Sequence, residues 1–285
     1  MGAPELVRDP GAWQRRCREA RESGRRIALV PTMGYLHAGH LSLLREARRR
    51  AGDGGLALAS IFVNPAQFGP NEDLARYPRD LAGDVETCAQ AGIDAVLAPE
   101  PGAVYGPLHQ TWVEVTGVSQ GLCGASRPGH FRGVATVVAK LLHLSWPHLA
   151  IFGEKDWQQL QVLRAMARDL DLDVEIAGMP IVREPDGLAL SSRNAYLSPE
   201  ERGRALSISR ALLEARDRAG GGERDASALA AGARRALEAA GLRVDYVAVV
   251  HPETLQPVRE AAPGSRMLVA AFAGTTRLID NLGLP

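Results

Sequence analysis

Apolar residues in the first two-thirds of the chain fall into short unbroken runs separated by stretches with a period near 3.6. The runs at 26–31, 56–63, 94–97, 148–152 and 173–177 are predicted to be strands, buried where the run is continuous. After the first of them, Leu41, Leu43, Leu44 and Ala47 share one helical face, and the helix ends in Arg48, Arg49 and Arg50. That cationic end suits the negative pole of a helix dipole. Further helices are expected from about 79 to 91, following a polar loop at 64–78, and over 133–144 and 157–170. The run 111–115 alternates as an edge strand would. Alternating strands and amphipathic helices predict a parallel sheet wrapped by helices.

Beyond a mostly loop-like span at 178–199 the texture changes. Helices are expected over 200–218 and 226–240, with Gly220, Gly221 and Gly222 as the break between them. Two strand-like runs follow at 243–250 and 266–273, without the earlier alternation. The fold class expected is therefore α/β over 1–185 joined to a smaller α+β domain over 186–285. The Pro185-Asp186-Gly187 turn lies at the boundary.

Composition narrows the function classes. Thirty-three basic residues balance thirty-three acidic ones, so overall charge favours neither nucleic acid nor an anionic membrane as partner. No stretch approaches the roughly 18 apolar residues of a membrane span, and the N-terminal stretch has no apolar core of an export signal. Cys17, Cys88 and Cys123 are scattered, which argues against a zinc site or disulfide framework and fits a reducing cytoplasm. Lys140 and Lys155 are the only lysines, so a lysine inside a candidate site stands out.

The strongest chemical signal is Pro31-Thr32-Met33-Gly34-Tyr35-Leu36-His37-Ala38-Gly39-His40, between the first strand and the first helix. Ligands of open α/β sheets bind at the carboxyl ends of strands, and a helix N-terminus there suits phosphate. His37 and His40 sit three apart and can donate to the same phosphate oxygens, with Gly34 and Gly39 letting backbone come close. Two ordinary histidines, or a metal pair lacking a third ligand, are the alternatives; the HxGH pattern also occurs in nucleotidyltransferases and some aminoacyl-tRNA synthetases. A second signal, Gly153-Glu154-Lys155-Asp156, again joins a strand to a helix and carries a mobile point charge suited to a phosphoryl transfer. A third, Leu190-Ser191-Ser192-Arg193-Asn194, supplies hydroxyls and a guanidinium that can close over a triphosphate. Asn64, Gln67, Gln158 and Gln159 offer amides for an uncharged or carboxylate-bearing substrate, and Gly129-His130-Phe131-Arg132-Gly133 either binds an anion or caps a helix.

In this order the segments resemble the pantoate–β-alanine ligase (pantothenate synthetase) family over 28–282, including PTMGYLHAGH, SIFVNPAQFGPNEDLARYPRD, GLCGASRPGHFRGVATVVAKLL, FGEKDWQQL, PIVREPDGLALSSRNAYLS and GTTRLIDNL. The resemblance implies a Rossmann-like N-terminal domain for ATP and pantoate, a C-terminal lid domain, and a cytoplasmic homodimer. It implies ATP-dependent condensation of (R)-pantoate with β-alanine through pantoyl adenylate, with Mg2+ arriving on ATP and no metal site in the protein. By resemblance, Met33, Gly34, Tyr35, Leu36, His37, Ala38, Gly39 and His40 bind ATP, with His40 the family's proton donor. Gly153, Glu154, Lys155 and Asp156 hold the nucleotide, Val182 lines the adenine pocket, and Leu190, Ser191, Ser192 and Arg193 cover the triphosphate. The catalytic set is His37, His40 and Lys155; Gln67 meets pantoate and β-alanine, and Gln159 meets pantoate. Tyr35, Ala38 and Trp157 depart from the family's usual residues.

Overall fold

Ile27, Ala28, Leu29 and Val30 are fully buried in the computed structural model, which describes residues 2–70 and 72–285. A strand that hides both faces needs helices on each side of its sheet. The strands β1 (Glu5–Val7), β2 (Ile27–Thr32), β3 (Leu56–Ile61), β4 (Ala95–Leu97), β5 (Leu149–Gly153) and β6 (Glu175–Met179) form a six-stranded sheet. Their order is β1-β4-β3-β2-β5-β6 and every pairing is parallel.

One face is packed by α2 (Ala38–Ala51) and α3 (Leu81–Gln90), through Leu43, Leu44, Ala47 and Cys88 against Ala28, Val30, Ala57, Ala59, Val96 and Ile151. Alternate strand residues point the opposite way. Helices α1 (Pro10–Glu22) and α6 (His130–Ser145) pack together, the buried Trp13 indole N–H donating to Ser145 Oγ at 2.8 Å. Two short helices, α4 (Pro101–Val104) and α5 (Leu122–Ser126), lie along the connection from β4 to α6. From β2 the chain proceeds outward through β3 and β4 on one side and through β5 and β6 on the other. The order reverses between β2 and β5, and that is where an open parallel sheet leaves a crevice at its carboxyl edge.

By contacts the chain divides into two units. The first comprises the chain up to Thr116, Arg127–Glu154 and Val162–Pro180; the second comprises Gly117–Ser126, Lys155–Gln161 and Ile181–Pro285. The sequence pattern suggests a single cut at 185/186, whereas by contacts two earlier excursions also belong with the C-terminal part. One of them begins at Lys155 and runs into α7 (Trp157–Asp169). In the second unit, β7 (Arg243–Val250), β8 (Arg266–Ala273) and β9 (Thr276–Gly283) form an antiparallel sheet. Helices α8 (Pro199–Gly220) and α9 (Ala226–Ala239) share its core, with Ile208, Leu212, Leu229 and Leu237 against Met267, Val269 and Leu278.

Several elements differ from the sequence expectation. Residues 111–115 are not a strand: Val113 N–H donates to Thr136 Oγ1 of α6 at 3.0 Å, a side-chain partner in place of a ladder. Helices α1, α4 and α5 and strands β1 and β9 are additions to the predicted set. Helix α1 starts at an Asp9 side-chain cap with Pro10 in its first turn, and β9 carries polar Asp280 and Asn281 in its middle.

Candidate active site

The segment after β2 is built by buried carboxylate and glycine geometry. Gly34 has φ +83°, and a Cβ there would lie 2.7 Å from Asp84 Oδ2 and 3.0 Å from an Ile61 methyl. Asp84, on α3 and nearly fully buried, accepts Tyr35 N–H at 2.9 Å and Leu36 N–H at 2.6 Å. Tyr35 also has positive φ, at 53°, a strained conformation for a residue with a Cβ. The carboxylate thus holds a turn that its own sequence disfavours.

Burial raises the Asp84 carboxyl above its ordinary value, while the two backbone N–H groups pull it down. A carboxyl whose folded value is raised contributes stability that is present below the unfolded value, near pH 4, and lost as pH rises through the folded one. Asp84→Asn removes that loss. The wild-type stability advantage over the variant is therefore expected to shrink as pH rises from about 4 toward neutrality. Urea unfolding of both proteins across this range checks it; a pH-independent difference would overturn it.

His37 is the N-cap of α2. Its Nδ1 accepts Gly39 N–H at 3.1 Å, and His40 Nδ1 accepts His37 N–H at 3.3 Å, a reciprocal capping box made of two imidazoles. The ring centroids are 4.1 Å apart. A ring nitrogen that accepts a backbone N–H carries no proton. In the neutral state both rings are therefore Nε2–H tautomers, each with its donor on the side away from the cap. The pair can give two N–H donors to an anion at the start of α2, where the dipole and amides favour negative charge.

Gln67 belongs to the same unit and is oriented by a relay. Ala66 N–H donates to Asn64 Oδ1, so Asn64 Nδ2 is the other amide atom and donates to Gln67 Oε1 and Gly133 O, both at 3.1 Å. Tyr105 O–H donates to the same Asn64 Oδ1 at 2.9 Å, and burial pushes its phenol up to about 12, so it remains a donor. Gln67 Nε2 then faces Met33, donating to its sulfur at 3.1 Å. An amide has two N–H groups and two lone pairs, and a thioether is a weak acceptor that a stronger one displaces. Gln67 is thus held in orientation while remaining able to bind a carboxylate or hydroxyl.

His130 lies beneath this relay. Its Nδ1 is 2.8 Å from Gln67 O and its Nε2 is 3.1 Å from Arg127 Nη1, while Arg127 pairs with Glu72 through two contacts of 2.6 Å. Arg132 stacks over Trp112 at 4.5 Å. Of the two alternatives open for 129–133, the structure shows the helix cap: Gly129, at φ +81°, is the N-cap of α6, with no side-chain cap hydrogen bond. The basic pair supports the Gln67 segment and Trp112.

Gly153 ends β5, the immediate neighbour of β2, and Glu154 follows it in the first unit. Lys155, Asp156, Gln159, Val182, Leu190, Ser191, Ser192 and Arg193 belong to the second unit. Lys155 sits in a 3-10 turn, Glu154–Asp156, and its carbonyl accepts from Asn281 Nδ2 at 2.9 Å. Ser191 Oγ accepts Arg193 N–H at 3.3 Å, and Leu190 N–H donates to Val182 O at 3.0 Å, tying the predicted adenine and triphosphate segments together. Asn194 is spent on the turn, donating to Glu184 and Ala189 O. Gln158 is buried and structural, accepting Cys123 N–H and donating to the carbonyls of Val118, Gln120 and Gly121; Gln159 beside it is half-buried.

Sequence reasoning misses Asp84, Tyr105 and the Asp280-Asn281 pair, since their partners lie far along the chain. Burial pushes the Cys17 and Cys88 thiols up to about 12, so neither is a nucleophile at neutral pH. Among the described residues no group of three or more His, Cys, Asp or Glu side chains is placed to hold a metal ion.

Comparison with known proteins gives a consistent family. A family profile described as pantoate-beta-alanine ligase matches residues 5–283. The pantothenate synthetase of Anaeromyxobacter dehalogenans is 70% identical over the whole of both chains. The crystal structure of pantothenate synthetase from Thermus thermophilus superposes with a TM-score of 0.91 at 47% identity, covering 99% of this chain and 100% of that one. The ligase from Francisella tularensis, complexed with β,γ-ATP and β-alanine, superposes with a TM-score of 0.79 at 30% identity, covering 99% and 98%. The chain belongs to the pantoate–β-alanine ligase (pantothenate synthetase) family of enzymes.

Proposed function

We propose that this chain condenses (R)-pantoate with β-alanine at the expense of ATP, through pantoyl adenylate. The observation that supports the ATP half is the imidazole capping box at the start of α2, which follows the carboxyl end of β2 beside the switch point and leaves the proton of each neutral ring on Nε2. The Francisella ligase's complex with β,γ-ATP and β-alanine supports the same substrates here.

In the first step a pantoate carboxylate oxygen attacks the α-phosphorus of ATP, and the bond from that phosphorus to the bridging oxygen breaks. Pyrophosphate leaves. His37 and His40 stabilise the charge that builds on the departing group, and Lys155 follows the α-phosphate. Magnesium enters bound to the triphosphate as part of the substrate. In the second step the neutral amine of β-alanine attacks the acyl carbon; the carbon–oxygen bond to AMP breaks and the nitrogen loses its proton. Gln67 orients pantoate and then β-alanine, and Gln159 pantoate. Met33, Gly34, Tyr35, Leu36, Ala38, Gly39, Gly153, Glu154 and Asp156 bind the nucleotide, Val182 lines the adenine, and Leu190, Ser191, Ser192 and Arg193 cover the phosphates. Adenylation converts a poor leaving group into a good one, so no enzyme nucleophile is required. The enzyme works in the cytoplasm as a homodimer, a part of the reading that rests on the family resemblance alone.

Exchange of labelled pyrophosphate into ATP tests the first step. Exchange is expected with pantoate and without β-alanine. Exchange that requires a phosphate ester would make the chain a nucleotidyltransferase, and no exchange together with no AMP release would make it a nucleotide-binding protein without catalysis.

A further inference from the structure

The terminal motif Gly274-Thr275-Thr276-Arg277-Leu278-Ile279-Asp280-Asn281-Leu282 has no part in the chemistry above. Within it, Asp280 and Asn281 are only 3% and 2% exposed. Polar side chains this deep require partners. Asp280 takes both terminal nitrogens of Arg183, at 2.6 and 2.9 Å, and also accepts Asn281 N–H at 2.8 Å. Asn281 Oδ1 accepts from Arg266 Nε at 2.6 Å, which assigns its nitrogen to the Lys155 carbonyl, 2.9 Å away.

The same Arg266 guanidinium lies 3.4 Å over the Trp157 ring, and the Trp157 indole N–H donates to Pro252 O at 2.8 Å. Lys155 and Trp157 are two residues apart, so one guanidinium–amide pair from β8 and β9 grips both ends of Lys155-Asp156-Trp157. A lysine stem is flexible and its ammonium is only as well placed as the backbone that carries it. We propose that Asn281, steadied by Arg266, is a positioning residue for Lys155, anchoring the Lys155 carbonyl so that its ammonium tracks the α-phosphate. The proposal rests on the role given to Lys155 above. It also gives Trp157, where this chain departs from its family, a use: the large indole is the platform for Arg266.

Asn281→Asp keeps shape and the acceptor for Arg266 but loses the donor to Lys155. The rate of pantoate-dependent pyrophosphate exchange is expected to fall about 10- to 100-fold with KM for pantoate unchanged, the mark of a misplaced transition-state contact. The deciding readout is a double-mutant cycle: in a Lys155→Ala background, at raised enzyme concentration, Asn281→Asp should cost nothing further. An equal loss in both backgrounds overturns the proposal, because a merely structural residue would act with or without the ammonium. If Lys155→Ala alone leaves exchange intact, the role of Lys155 on the phosphates fails and takes the proposal with it, a different result. Circular dichroism verifies folding. Should Asn281→Asp not fold, Arg266→Lys, which keeps the charge but not the flat guanidinium, enters the same cycle with the same criterion.

Discussion

Replacing His40 by alanine is expected to lower pantoate-dependent AMP formation by about 10²- to 10³-fold, the usual cost of removing one donor from a charge-stabilising site. The alanine also loses half of the capping box, which costs about 1 kcal/mol of stability. His40→Gln separates the chemical roles. Glutamine is at home at the third helical position of a capping box, so its amide oxygen can keep the bond to His37 N–H while its N–H keeps a donor. It cannot deliver a proton. Pyrophosphate is already a good leaving group, so electrostatic stabilisation should suffice and His40→Gln should retain activity within about tenfold of wild type. Initial rates of AMP release, with thermal melts to verify folding, decide the matter. Glutamine as inactive as alanine would make His40 a general acid; alanine near wild type would remove it from the site.

The legible and illegible parts of this molecule divide by the range of the interactions that create them. Residues 26–31 and 41–50 announce a buried strand and an amphipathic helix through local pattern, and β2 and α2 lie where the pattern puts them. The HxGH histidines are legible for the same reason as a pair three apart at a helix start, and they cap α2 there. What the spacing does not reveal is that both Nδ1 atoms accept backbone N–H groups, so the proton of each neutral ring sits on Nε2. Histidine is not an ordinary cap residue, and only the observed turn shows it acting as one.

Helix α1 carries its signal openly, Asp9 then Pro10 with Trp13, Cys17 and Ala20 on one face. It is a local element overlooked, not one hidden. Strand β9 is hidden: Asp280 and Asn281 interrupt its apolar alternation, and the groups that satisfy them, Arg183 and Lys155 O, stand about a hundred residues earlier. Asp84 is of the same kind, an acidic residue in the first turn of a helix that turns out to be buried under Tyr35 and Leu36. The run 111–115 errs in the opposite direction: its alternation is real, but Thr136 takes the amide a strand would need.

The most damaging added methyl group near Gln67 is expected at Gly133. A Cβ there would overlap the carbonyl oxygen of Ala66 and lie 2.7 Å from Gln67 N, and both are backbone atoms that cannot swing aside. Helix α6 and the short turn Pro65–Gln67 touch because residue 133 has no side chain, and Asn64 Nδ2 bonds the Gly133 carbonyl at that contact. Gly133→Ala is expected to cost about 3 kcal/mol, the upper end for overpacking, and to lower the thermal midpoint by roughly 6–12 °C. It should also raise KM for pantoate, because moving the turn displaces Gln67 while His130 still holds the Gln67 carbonyl. Gly203→Ala provides the contrast. Gly203 lies in helix α8 with nothing within 4 Å of its would-be Cβ, so the same substitution should stabilise by about 0.5–1 kcal/mol through helix propensity and a less flexible unfolded chain. Opposite signs from one chemical change would locate the cost in the contact with Ala66. If Gly133→Ala melted with the wild type, the close approach of α6 would not constrain the turn, and Gln67 would owe its orientation to Asn64, Met33 and His130.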